Sequence, residues 1–295
     1  MKDIVVLAAT SVGQRGFTQP LFSALEAELG EDWQRLYCDT LTPVESLQGN
    51  IERVFQGMRK SEIDCLRARK FLLCSMAQGA AQMGDIQQRD GIYEKNQRAI
   101  YRTLQNAAVA AGERTPVVLL SHSLACLNFS NYLWDAQRSN VSHGIWRDGG
   151  PGDVRKGSAR ERFLRLKTLS HWYTLGPSLP LWCAGRAREQ IQAVTADSRG
   201  YRFRWKNFYH PDDLFGWPLK PLGPTYNQAV FRDYETSELS GHHRSGAISQ
   251  LLPLEDYWRS ELVIEQLLED LRSLLKNGNR GSSAAAQRSQ RAVAV

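Results

Sequence analysis

The chain has few cysteines. The five among its 295 residues are scattered, and no two of them form a C-x-x-C motif. This pattern argues against both a disulfide framework and a zinc site. No apolar run approaches the length of about 18 residues that a membrane span needs, and no signal peptide precedes the strand-like run at residues 4–9. We therefore expect reduced core thiols, no membrane span and a cytoplasmic location.

Basic residues outnumber acidic ones, which gives a formal net charge of +6. The excess of basic residues is concentrated in two segments. Residues 147–167 hold seven basic and three acidic residues, and residues 277–295 carry arginines without any acid. No helix-turn-helix, RNP or zinc-finger pattern accompanies this charge, so we expect no nucleic-acid partner. The Gly, Ser, Ala and Gln content of residues 277–295 predicts a disordered basic tail.

Predicted strands alternate with predicted helices along the chain. The apolar patterns indicate strands at residues 4–9, 117–120, 163–173 and 202–208, and helices at residues 19–29, 51–55, 63–76, 93–111 and 260–275. This order predicts an α/β fold with a mostly parallel central sheet and helices on both faces, a three-layer sandwich. We expect one domain over residues 1–276, with a glycine-rich, exposed excursion near residues 142–160.

One predicted strand ends on a serine. The continuous apolar run at residues 117–120 fits a strand that is covered on both faces, and a helical stretch follows it from Cys126. The residues between them read Ser121-His122-Ser123-Leu124-Ala125, the frame of the nucleophile elbow G-x-S-x-G with small residues in place of both glycines. Ser123 therefore stands where a strand-to-helix turn displays a nucleophile.

Four stretches in this order resemble the α/β-hydrolase superfamily of lipase- and esterase-like serine hydrolases, and in particular a little-described bacterial branch of it. They are the first strand and its loop (residues 5–13), the serine turn with the following helix (residues 121–135), a Leu-Gly-Pro-Ser loop (residues 174–181), and a strand followed by His-Pro-Asp-Asp (residues 205–214). The resemblance covers residues 4–275. It implies an α/β-hydrolase-like fold and the chain order serine, acid, histidine.

The resemblance implies a role for several residues. Ser123 is the expected nucleophile, and Asp212 is the expected acid, with Asp213 as the alternative. The oxyanion is expected to bind the backbone N–H of Leu124 and one from the loop at Ser11 and Val12. A small-molecule acyl substrate follows from this chemistry, and no spacing in the sequence indicates a cofactor or a metal.

The histidine stands outside the expected frame. Relatives carry it in a Pro-Leu-Ser-His-x-x-Tyr-Trp stretch, whereas this chain reads Pro253-Leu254-Glu255-Asp256-Tyr257-Trp258. The nearest substitutes are His243, which we favour, and His242, in a glycine-flanked loop between the acid and the last helix.

Two functions follow from these residues. The first is a serine hydrolase that acts on an ester, thioester or amide through an acyl-enzyme. The alternative is a catalytically impaired protein of the same fold, a pseudoenzyme that acts as a binding or interaction module. The sequence leaves the oligomeric state open.

Overall fold

A computed structural model describes residues 2–11, 16–41, 45–61, 63–196, 202–236 and 255–293 of the protein. Its centre is a six-stranded sheet in which every neighbouring pair of strands is parallel. The strands are β1 (Ile4–Thr10), β2 (Leu36–Leu41), β3 (Val117–His122), β4 (Leu169–Leu175), β5 (Arg204–Tyr209) and β6 (Val230–Glu235). Their order across the sheet is β2-β1-β3-β4-β5-β6.

Helices connect the strands, as a parallel sheet requires. They are α1 (Gln19–Leu29), α2 (Glu45–Met58), α3 (Leu66–Gly84), α4 (Ile92–Ala111), α5 (Ala125–Ala136), α6 (Ala159–Leu164), α7 (Leu179–Cys183), α8 (Pro224–Ala229) and α9 (Glu261–Val293). The bounds of α9 extend into the basic stretch that begins at residue 277. In the described part of the chain, no helix is both long enough and apolar enough to cross a membrane.

Each face of the sheet is covered by helices. Val5, Leu7 and Leu119 point to one face, where they pack with the buried sides of α4 and α5. The alternate residues, such as Val6 and Val118, point to the other face and pack with α1 and α9. The three-layer α/β fold expected from the sequence is confirmed. The apolar runs do not alternate with polar residues because both faces of the central strands are buried.

The strand order places a switch point between β1 and β3. The chain leaves β1 toward β2 on one side and returns to β3 on the other, so loops diverge at the carboxyl ends of these two strands. Open parallel sheets bind ligands in the crevice at such a point. Ser11 directly follows β1 and Ser123 directly follows β3, so the predicted nucleophile lies at this switch point, where its side chain is buried.

One predicted strand is wrong in its first half. Residues 163–173 were expected to be extended, but α6 runs through Leu164 and β4 begins only at Leu169. A capping motif accounts for the helix: the Ser158 side chain accepts a hydrogen bond from the N–H of Glu161 at 3.0 Å, and the Glu161 carboxylate accepts one from the N–H of Gly157. This Ser-x-x-Glu spacing is visible in the sequence and favours a helix start.

The glycine-rich segment lies outside the sheet. It is not uniformly exposed, because Ile145 and Trp146 are buried. The Trp146 ring packs against Tyr132, and the Arg165 guanidinium lies over it, 4.4 Å from the ring centroid. The segment is thus held against α5 and the end of α6.

Candidate functional site

Ser123 occupies a strained turn between β3 and α5. Its φ of +57° lies in the left-handed region that a non-glycine residue rarely adopts. Its N–H donates to the carbonyl oxygen of Leu175 on β4 at 3.0 Å, and its own carbonyl accepts from the N–H of Cys126 at 3.1 Å. Such strain persists only where surrounding structure imposes it, and it concentrates at functional sites. The backbone has the form expected of a nucleophile elbow.

The small residues that replace the elbow glycines are packed into the core. Ala125 is buried. The Ser121 hydroxyl accepts a hydrogen bond from the indole N–H of Trp172 at 2.9 Å and lies 3.3 Å from the Cys126 sulfur. A glycine at 121 would leave the buried indole N–H without this partner. Burial raises the pKa of Cys126 to about 12, so this neighbouring thiol stays protonated and is not a competing nucleophile.

The predicted oxyanion donor is already engaged. The N–H of Leu124 donates to the Ser11 hydroxyl oxygen at 3.0 Å, and both residues are buried. An oxygen atom thus lies where the predicted site would hold the oxyanion, and the Ser11 side chain has to rotate away before a substrate oxygen can take its place. Val12, the second predicted donor, lies outside the described residues.

The two candidate acids differ sharply in environment. Asp213 is buried, with 5% of its surface exposed, and Asp212 is exposed. One carboxylate oxygen of Asp213, Oδ1, accepts from the N–H of Phe215 at 3.0 Å, and the other, Oδ2, accepts from the hydroxyl of Tyr257 at 3.0 Å. The backbone N–H of Asp212 donates to Nδ1 of His210.

A glycine allows Asp213 to approach the serine turn. Gly176 follows β4 directly and has a φ of +51°; a Cβ atom there would lie 2.9 Å from Oδ2 of Asp213 and 2.7 Å from the Tyr257 ring. The preceding residue, Leu175, accepts the hydrogen bond from Ser123. The Asp213 carboxylate and the Ser123 turn therefore both lie at the carboxyl end of β4. Glycine at position 176 leaves room there for the carboxylate and for the Tyr257 ring.

Tyr257 connects these residues to the histidine before the serine. Its hydroxyl donates to Asp213 and accepts from the N–H of His210 at 2.9 Å, while its ring centroid lies 5.8 Å from that of His122. Burial raises the pKa of Tyr257 well above its ordinary value, and Asp213 adds to the shift, so the phenol stays protonated and donates. His122 also shares a hydrogen bond with the Thr10 hydroxyl at 3.0 Å.

The expected bases, His242 and His243, lie outside the described residues. Of the described residues on either side of their segment, one contacts the end of β5 and one contacts the acid. On one side, the N–H of Thr236 donates to the carbonyl of Tyr209, the last residue of β5. On the other side, Tyr257 donates to Asp213.

Two contacts at this edge were not foreseen from the sequence. The hydrogen bond from Tyr257 to Asp213 joins residues 44 positions apart. Ser11 was expected to contribute only its backbone, but its side chain holds the N–H of Leu124. No local pattern in the sequence marks either contact.

Comparison with known proteins adds no family. A scan with protein-family models finds none that matches the chain, and no curated protein matches it at a significant level of similarity. In the part of the chain that the structure describes, no three His, Cys, Asp or Glu side chains form a group that could hold a metal ion. The class of the protein is thus stated from its architecture, as a three-layer α/β fold.

Proposed function

We propose that the protein is an α/β-hydrolase-like serine hydrolase that cleaves an ester, thioester or amide through an acyl-enzyme. The observation that carries this proposal is the left-handed backbone of Ser123 at the carboxyl end of β3, at the switch point of the sheet. Ser123 is the nucleophile. Asp213 is the acid in preference to Asp212, because its buried carboxylate lies beside the strand end that holds the serine turn.

The chemistry needs a base, and we assign it to His243, with His242 as the alternative. The histidine takes the proton of the Ser123 hydroxyl as its oxygen attacks the substrate carbonyl, and Asp213 stabilises the imidazolium that forms. The tetrahedral oxyanion accepts a hydrogen bond from the N–H of Leu124 after Ser11 turns away. The histidine then protonates the leaving group, and water hydrolyses the acyl-serine ester by the same steps.

The test is hydrolysis of p-nitrophenyl esters by the wild-type protein and by His243→Ala, His242→Ala and the double variant. We expect one single variant to lose several orders of magnitude in kcat, and wild-type activity to rise from about pH 6 to about pH 7 as the imidazole loses its proton. If the double variant stays within about threefold of wild type, an effect of roughly 0.6 kcal/mol, neither histidine is the base.

A second candidate function is binding without catalysis. Two observations favour it: the Leu124 N–H is occupied by Ser11, and a cavity of about 290 Å³ is lined by residues of α4, α6 and the glycine-rich segment and by no residue of the sheet. Its wall includes Tyr101, Trp146 and Lys156. A wild-type protein that hydrolyses none of the esters while it remains folded would favour this second function.

A further inference from the structure

A cluster of charged side chains is buried where α9 packs on the sheet. Lys206 and Asp270 are 2% and 3% exposed, and the Lys206 ammonium lies 2.7 Å from Oδ2 of Asp270. Nε2 of the buried His171 lies 3.5 Å from Oδ1 of Asp270, and the guanidinium of Arg204, at the rim, lies 4.0 Å from the same oxygen. A buried ion pair is often no more stabilising than apolar side chains of similar size. The cluster therefore calls for an explanation other than stability.

Three neighbouring strands each direct one donor to α9. The donors are Tyr173 on β4, Lys206 on β5 and Tyr234 on β6. The Tyr173 hydroxyl donates to the Asp270 carboxylate, as the Lys206 ammonium does. The side-chain oxygen of Gln266 accepts from Lys206 at 3.0 Å and from the Tyr234 hydroxyl at 2.9 Å. Gln266 and Asp270 are one helical turn apart, so the three donors meet one polar stretch on the buried face of α9.

The apolar contacts of α9 do not by themselves fix its position along its axis. Among the described side chains of α9, the apolar residues with 2% or less exposure recur every four positions, at Val263, Leu267, Leu271 and Leu275. A shift of the helix by four residues, about 6 Å at 1.5 Å per residue, moves members of this stripe into the places of their neighbours. Apolar contacts are not directional, so most of this burial is kept after such a shift.

The same shift separates the buried charges. The place of Asp270 is then taken by Leu274 or by Gln266, depending on the direction. Lys206 is left buried without a carboxylate, and an unpaired buried charge is strongly destabilising. In coiled coils, a single buried polar residue fixes the register of the helices for the same reason. The exposed pair between Arg272 and Glu28, at 3.2 Å, contributes much less to the choice of position.

The position of α9 also determines that of Tyr257. The N–H of Ser260 donates to the carbonyl of Tyr257, and the N–H of Ile264 donates to that of Ser260, so Tyr257 is coupled to the start of the helix. The Tyr257 hydroxyl donates to Asp213 at 3.0 Å. A shift of about 6 Å exceeds the range of this hydrogen bond.

We propose that the side chains of Lys206, Asp270 and Gln266 form a register lock, which selects one axial position of α9 on the sheet and so holds Tyr257 against Asp213. Lys206 and Asp270 are then positioning residues that act through the helix. The register lock goes beyond the proposed function and does not depend on it, because its test measures a distance and not hydrolysis.

The test moves the carboxylate by one turn. In Asp270→Leu/Leu274→Asp, the pair with Lys206 forms again only if α9 shifts by about 6 Å towards its own N-terminus. Addition of Lys206→Met to this variant should abolish the shift. Glu269→Leu/Ser273→Asp is the matched control, because it makes the same move on the exposed side of α9.

The shift is measured between spin labels on α1 and α9 by pulsed electron paramagnetic resonance. The two helices run in the same direction, because Phe17 packs against Trp258 at one end and Arg272 donates to Glu28 at the other. The labels are attached to Gln19→Cys, at the start of α1, and to Lys276→Cys, in the described part of α9; both positions are exposed. The accessible native thiols, those of Cys38, Cys65 and Cys74, are replaced by serine. The distance should shorten by about 6 Å in the relocated variant and stay unchanged in the control.

A folded relocated variant with the wild-type distance would overturn the register lock. If that variant does not fold, Lys206→Met/Asp270→Leu decides. This variant leaves no buried charge unpaired, so it should unfold at a denaturant concentration no lower than wild type does, and it should show a second distance about 6 Å from the first. A single unchanged distance would mean that the apolar stripe sets the register. Failure of this variant to fold would also contradict the proposal, because the charges would then be needed for stability.

Discussion

Replacement of Asp213 by asparagine is the most informative single change, because Asp212 provides a control one residue away. Both carboxylate oxygens of Asp213 accept hydrogen bonds, from the Phe215 N–H and from the Tyr257 hydroxyl. A carboxamide has only one acceptor oxygen, so one of these charge-assisted bonds is lost in a buried position. The expected cost is about 1.5–3 kcal/mol of the free energy of unfolding. The exposed Asp212 should tolerate the same change within about 0.5 kcal/mol.

The effect on catalysis should be larger than the effect on stability. An amide cannot stabilise the imidazolium or hold the productive tautomer, and in a serine-protease triad the same replacement lowers kcat by about ten-thousandfold. We expect Asp213→Asn to approach that loss in ester hydrolysis and Asp212→Asn to stay within about threefold of wild type. Denaturant unfolding and steady-state kinetics on the same preparations measure both effects.

A further variant separates catalysis from packing. Tyr257→Phe removes a hydrogen bond to the Asp213 carboxylate and leaves the charge in place. It should therefore cost stability of the same order as Asp213→Asn without the large loss of kcat. The reasoning is refuted if Asp212→Asn is the inactive variant, or if Asp213→Asn and Tyr257→Phe lose equal activity.

Two other predictions concern the hydrogen bond of Ser121 and the buried imidazole of His171. Ser121→Gly introduces the first glycine of the G-x-S-x-G motif but leaves the indole N–H of Trp172 unpaired. The free energy of unfolding should therefore fall by about 1–3 kcal/mol in denaturant unfolding, and an unchanged value would mean that this hydrogen bond contributes little. Burial lowers the pKa of His171 from 6.5 to about 4, although Asp270 opposes the shift. Because the unfolded chain takes up this proton first, stability should decrease as the pH falls from about 6.5 to about 4, by up to roughly 3 kcal/mol. His171→Gln should abolish that component, and an equally steep dependence in the variant would contradict it.

The sequence predicts β1 and β3 well, starts β4 too early, and predicts the edge strands poorly. The strands β1 and β3 are uninterrupted apolar runs because helices cover both faces, and this pattern identifies them without an alignment. The outer strands β2 and β6 were not predicted. Their residues are only partly buried, and polar side chains such as Asp39 and Asp233 interrupt the apolar pattern, as is common for strands at a sheet edge.

Part of the site can be predicted from local sequence, and part cannot. The turn at Ser123 follows from a buried strand that runs into a helix, with small residues around the serine. The sequence alone does not distinguish Asp212 from Asp213, because the difference in burial depends on Gly176 and Tyr257, which lie far away along the chain. A Cβ atom would lie 2.9 Å from Oδ2 of Asp213 at Gly176 and 2.7 Å from it at Gly216, so these two glycines are the trace that the packing around Asp213 leaves in the sequence.

The measurement that tests the central claim most directly is labelling with a fluorophosphonate probe, which phosphonylates an activated serine hydroxyl. We predict that the folded wild-type protein is labelled at Ser123, identified by peptide mass spectrometry, and that Ser123→Ala abolishes labelling while the thermal midpoint changes little. Asp213→Asn should slow the labelling strongly and Asp212→Asn should not. Labelling that persists in Ser123→Ala, or a folded wild-type protein that is never labelled, would contradict the assignment of Ser123 as an activated nucleophile.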